Sequence, residues 1–148
     1  MNLRWPRSDN AGVAIPNFNA QGLSSTPVWQ TTAHTDTRDY KTITWEITIS
    51  DKDTATKLYF MPYWSTKTSS PTLPSGSGPG DFFRQATEVI AAGAAAESAY
   101  LPEFDLSGLT APFTIQLTLP VIAPAAAIAV YVDAGTPTCT SLKVWRGN

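Results

Sequence analysis

At 148 residues the chain has the length of one ordinary domain, and its 10 Lys+Arg against 12 Asp+Glu leave a net charge of −2 with no basic run, which argues against nucleic acid as a partner. A single cysteine, Cys139, excludes an intrachain disulfide and a cysteine-rich zinc site. Only 15% of residues are charged, and 20 Thr, 12 Ser and 19 Ala stand in their place, the composition of an all-β protein whose surface relies on hydroxyls.

Residues 1–41 read as an extended N-terminal arm. Met1 to Arg7 carries two arginines with no apolar stretch behind it, so no cleaved secretory signal is expected. Large side chains (Trp5, Ile15, Phe18, Trp29) are isolated among polar residues, Gly and Pro, without a period of 2 or 3.6. Such a segment cannot build a core of its own. One short strand is expected near Pro27–Thr32. The arm then either wraps its own domain or reaches onto a neighbouring subunit.

Residues 42–148 carry the domain. Ile43, Trp45, Ile47 and Ile49 alternate with Thr42, Thr44, Glu46 and Thr48, a half-buried strand. Ser50-Asp51-Lys52-Asp53 reads as a turn, and a second strand over Thr56–Trp64 as its hairpin partner. Ser65–Gly80 reads as a loop rich in Ser, Thr, Pro and Gly, too polar and punctuated for regular structure, with Gly76–Gly80 a flexible connector. Asp81–Ile90 fits strand or helix, and its all-β surroundings favour strand. Tyr100–Leu106 is extended around Pro102, marking an edge or bulge, and Ser107-Gly108 turns. Phe113, Ile115, Leu117 and Leu119 alternate with Thr114, Gln116 and Thr118 in a second half-buried strand. Ile128–Asp133 and Thr138–Trp145 flank Ala134-Gly135-Thr136-Pro137 as a final hairpin. About seven to eight short strands with regular turn signals predict an antiparallel β-sandwich, jelly-roll or Ig-like. The most apolar stretch, Val121–Val132, contains Pro124 and falls short of the ~20 residues of a membrane helix.

No catalytic constellation stands out. Nucleophilic triads need a histidine, and the one present, His34, lies in the arm near Asp36 and Asp39. Asp51-Lys52-Asp53 suits a turn better than a metal, since calcium wants about six to eight oxygens. Gly76–Gly80 lacks the Lys-Ser/Thr of a phosphate cradle. Glu46, Glu88, Glu97 and Glu103 show no pairing suited to glycoside hydrolysis. Cys139, on an apolar strand, reads as a small buried hydrophobe. The expectation is a protein that is not an enzyme, with no cofactor and no metal.

One feature asks for more than a core. In Lys57–Trp64, Leu58, Phe60 and Trp64 share one face, and Tyr59, Met61 and Tyr63 the other, so both faces are apolar. Pro62 places this stretch at an edge. Either the arm or the Ser65–Gly80 loop covers the Tyr-Met-Tyr row, or the row is an interaction patch. Candidate interface residues are therefore Trp5, Phe18, Trp29, Tyr59, Met61 and Tyr63. A carbohydrate-binding sandwich would stack sugars on such a row; a lattice protein would use the row and the arm to attach to neighbours.

The low charge, the Thr/Ala/Pro content, the polar arm and a sandwich ending Ser141-Leu142-Lys143-Val144-Trp145-Arg146-Gly147-Asn148 resemble small virion proteins of tailed bacteriophages, especially capsid decoration (cement) proteins. The resemblance lies in overall style and carries over no functional residue. It implies a non-enzymatic sandwich on the capsid surface, made in the host cytoplasm, often a homo-trimer, whose partner is the major capsid protein or other virion subunits, with no membrane and no nucleic acid. Head–tail and fibre components share the style.

Overall fold

In the computed structural model, residues 12–85 and 100–148 are described. Trp5, Glu88, Glu97 and the 86–90 part of the strand-or-helix segment lie outside them.

Two antiparallel sheets face each other. The first runs β1 (Val13–Ala14), β11 (Thr138–Gly147), β5 (Thr42–Asp51) and β9 (Phe113–Pro120) in that order, with β2 (Gln21–Gly22) beside β1 on β11. The second runs β3 (Val28–Trp29), β10 (Ala125–Val132), β6 (Lys57–Ser65) and β7 (Phe83–Arg84), with β4 (Thr35–Asp36) on β10 and β8 (Glu103–Asp105) on β6. The expected β-sandwich is what the chain forms.

The alternating strands explain the core. Ile43, Trp45, Ile47 and Ile49 of β5 point inward with Ile115 and Leu117 of β9, meeting Leu58, Phe60 and Trp64 of β6 and Ile128, Val130 and Val132 of β10. Trp45 and Trp64 join the sheets edge to face, centroids 6.5 Å apart at 71°. On the other face of β5, Thr44 and Thr118 share a hydroxyl bond of 2.8 Å, and Gln116 Nε2 donates to Glu46 Oε2 at 2.7 Å.

Two expected hairpins are not formed. The strand at Thr42 pairs with β11 and β9, whereas β6 pairs with β10, β7 and β8. Likewise β10 and β11 lie in different sheets. Both strands of each expected pair offer a full apolar face to the same core, so the short turns cross from sheet to sheet and the two faces meet face to face. Pro62 sits in β6, opposite Ile128 on one side. Phe60 donates to Pro102 O on the other side, so the missing N–H of Pro62 falls in the gap between β7 and β8.

Residues 12–41 are laid along both sheets. Val13 pairs with Val144 on β11, while Trp29 pairs with Ala129 on β10. Ile15, Phe18 and Leu23 are buried in the shared core. The Thr37 hydroxyl donates to Ala123 O at 2.6 Å, holding the end of this segment against β10. Among the described residues no helix is long and apolar enough to cross a membrane.

Candidate functional site

The outer face of the second sheet follows from cross-strand register. Tyr63 lies opposite Ala127, Met61 opposite Ala129 and Tyr59 opposite Tyr131. Alanine at alternate positions of β10 leaves a trough beside the large side chains of β6. Trp29, Leu73 and Phe82 fill it, forming a small second core with Tyr63, Met61 and the alanines. The row is thus covered at one end by the Ser65–Gly80 loop and by residues 12–41.

That loop is pinned to the sheet. The Asp81 carboxylate accepts from Thr72 N–H at 2.7 Å and Lys67 Nζ at 3.1 Å, and the Ser65 hydroxyl donates to Asp81 O at 2.7 Å. These bonds, Thr72 N–H foremost, hold the Asp81 carboxyl below its ordinary range. Gly80 turns with φ of +59°, and a Cβ there would stand 2.3 Å from Thr72 O. The Ser65–Gly80 loop is thereby fastened over the row at Ser65, Lys67, Thr72 and Asp81.

The interface candidates accordingly differ in placement. Phe18 is wholly buried in the main core, and Tyr63 is buried with the Arg84 guanidinium 5.3 Å from its ring centre. Trp29, Tyr59 and Met61 are half-buried. Tyr131, which the sequence reading missed, stacks on Tyr59 with centroids 4.6 Å apart and planes within 14°. Burial raises its phenol pKa, with Tyr59 adding to the effect. Its signal was the even spacing of Ala125, Ala127, Ala129 and Tyr131 opposite the aromatic row. The accessible strip is Tyr59, Tyr131 and Met61, flanked by the Lys57–Glu103 pair at 3.2 Å.

The remaining titratable candidates are tied into turns. Asp51 Oδ1 accepts from Asp53 N–H at 3.0 Å, and Asp53 Oδ2 accepts from Thr136 N–H at 2.8 Å. Glu46 and Glu103 hold Gln116 and Lys57. Cys139 is fully buried, and desolvation pushes its thiol up to about 12. His34 lines a cavity of about 430 Å³ with Val13, Ile15, Gln30 and Val144, in which Asp36 is engaged by Arg38. Among the described residues no group of three or more His, Cys, Asp or Glu is placed to hold a metal ion.

Comparison with family models, curated proteins and solved structures finds no match for this chain.

Proposed function

We propose that the chain is a non-enzymatic structural protein of a phage virion, a decoration module that binds the lattice of major capsid subunits. The observation that supports this reading is the strip Tyr59–Tyr131–Met61. The outer face of a sandwich is ordinarily polar, yet here an uncharged aromatic and thioether surface lies on a rigid sheet. Removing such a surface from water is worth about 25 cal/mol per Å². The charges at its margin, the Lys57–Glu103 pair and Arg84 over the Tyr63 ring, already have partners, and weak contacts repeated by shell symmetry add through multivalency.

The test is attachment of the full chain to shells that lack it. Met61→Lys keeps its stem on the sheet and puts an ammonium on the strip. We expect a somewhat lowered melt, because Met61 packs on the second core, with the chain still folding cooperatively, and at least about tenfold weaker attachment. Undiminished attachment would refute the reading. Micromolar binding of a polysaccharide, abolished by Tyr59→Ala, would instead make the chain a carbohydrate-binding module.

A further inference from the structure

Among the described residues, β9 pairs with β5 along one side and with no strand along the other. Its sequence, Phe-Thr-Ile-Gln-Leu-Thr-Leu-Pro, carries no charge, and its register against β5 runs without a bulge. Long edge strands are normally blunted by lysines, inward charges or bulges. Along β9 there is no charge and no bulge, and proline, a further blunting device, stands at its end as Pro120 and just before it as Pro112.

The phase of the free edge can be read directly. Val121 N–H donates to Lys41 O at 2.8 Å, in step with Pro120 opposite Thr42. Strand residues send their N–H and C=O alternately to the two sides. Residues 113, 115, 117 and 119 therefore face β5, and Thr114, Gln116 and Thr118 offer theirs outward. Pro120 falls in the same outward phase, Pro112 lies in the bend just before β9, and neither has an N–H to offer. The outward donors thus form a window of three, bracketed by two prolines and centred on Gln116.

We propose that this edge joins the same edge of a second copy, antiparallel, with a two-fold axis at Gln116. Thr114 then lies opposite Thr118 of the partner subunit, repeating the threonine pairing that β9 already makes with β5. All three donors of each copy meet a carbonyl, and the ladder closes where Pro112 meets Pro120 of the partner subunit. The inner rim is completed as well. Ile115, Leu117 and Leu119 keep 6–8% exposure where Ile43, Trp45 and Ile47 beside them keep none. Ile115 would close against Leu117 of the partner subunit. Leu109 and Ile122, exposed at 38% and 48%, stand beyond opposite ends of β9. The antiparallel contact brings the Leu109 end of one copy beside the Ile122 end of the other. Such an isologous contact is self-complementary and needs no other partner. It is two-fold where the virion resemblance implies three-fold, and it stands whether or not the chain serves a shell.

The test combines sedimentation of the full chain over a concentration series with residue-resolved amide exchange. The wild type should sediment as a dimer, with Thr114, Gln116 and Thr118 amides slowing as concentration rises. Gln116→Lys sets two ammonium groups against each other at the axis while each faces Glu46 of its own chain. It should weaken association about tenfold or more and leave the dilute melt unchanged. Gln116→Pro removes the central outward donor without taking a backbone bond from β5, and should weaken association likewise, with a lower dilute melt from the lost side-chain bond to Glu46. A monomer up to millimolar concentration, a trimer, association indifferent to both variants, or full protection of these three amides in the dilute monomer would each overturn the proposal.

Discussion

Trp45 is the residue on which the core turns. It is fully buried, touches Trp64 across the two sheets, and its indole N–H finds no acceptor among the described residues. Trp45→Ala should cost about 3–5 kcal/mol by calorimetry or denaturant titration, because the cavity opens between two rigid sheets. Trp45→Phe should cost clearly less, since it keeps an aromatic contact and removes an unpaired buried donor. Asp133 works at the surface. Its carboxylate accepts from the Thr56 and Lys57 N–H groups at 2.9 Å each and from the Thr56 hydroxyl, joining the end of β10 to the start of β6. These bonds, the Thr56 hydroxyl foremost, hold its pKa at about 2, and the Arg38 guanidinium does the same for Asp36. A carboxyl with a lowered folded-state pKa stabilises above its unfolded value, 3.8, because there both states are ionised and the folded one is bonded. As pH falls through that value toward 2, the unfolded chain takes up the proton first. Melts between pH 6 and pH 2 should therefore show stability falling below about pH 4, and Asp133→Asn should flatten part of that fall while lowering stability at neutral pH.

At the scale of elements, period-2 alternation reveals which side chains face the core and is silent on which strand lies alongside. That is why Ile43, Trp45, Ile47, Ile115 and Leu117 were legible as one core, while the two hairpins were not. A five-residue connection closes a hairpin or crosses between sheets equally well, and only the packing of two apolar faces decides. The aromatic row of β6 was legible too, but its cover was not. Leu73 and Phe82 lie in a polar stretch, and what fixes them is Asp81 reaching back to Thr72 and Lys67. Gly80 is the hinge of that fastening. Gly80→Ala forces a Cβ against the Thr72 and Leu73 carbonyls at a positive φ, so the loop must shift. We expect faster proteolytic nicking within 66–80 and a changed environment for Trp29, with the main core intact. Unaltered cleavage and Trp29 emission would contradict this account of the loop.

For the whole molecule, the question is where the fold begins. Composition set residues 1–41 apart because their apolar residues follow no period, and a lone apolar residue gives no hint of what it packs against. Within the described part, those residues are structural. Phe18 and Leu23 lie wholly inside the core, Ile15 almost so, and β1, β2 and β3 cover the sides of β11 and β10 away from the rest of their sheets. Burying one such side chain is worth about 1.5–3 kcal/mol, and a domain's net stability is about 5–15 kcal/mol. Losing all three is therefore comparable to the whole margin. Deletion also bares the 127–132 part of the β10 edge, an uncharged apolar stretch of the kind that aggregates, leaving only β4 on Ala125 and Ala126. A chain lacking residues 1–30 should accordingly show no cooperative thermal transition, or collect in the insoluble fraction, whereas Phe18→Ala in the full chain should fold with a lowered melting temperature. A soluble truncated chain that melts cooperatively near the full-length temperature would mean that the sandwich is complete without this segment, leaving it free for contacts outside its own chain.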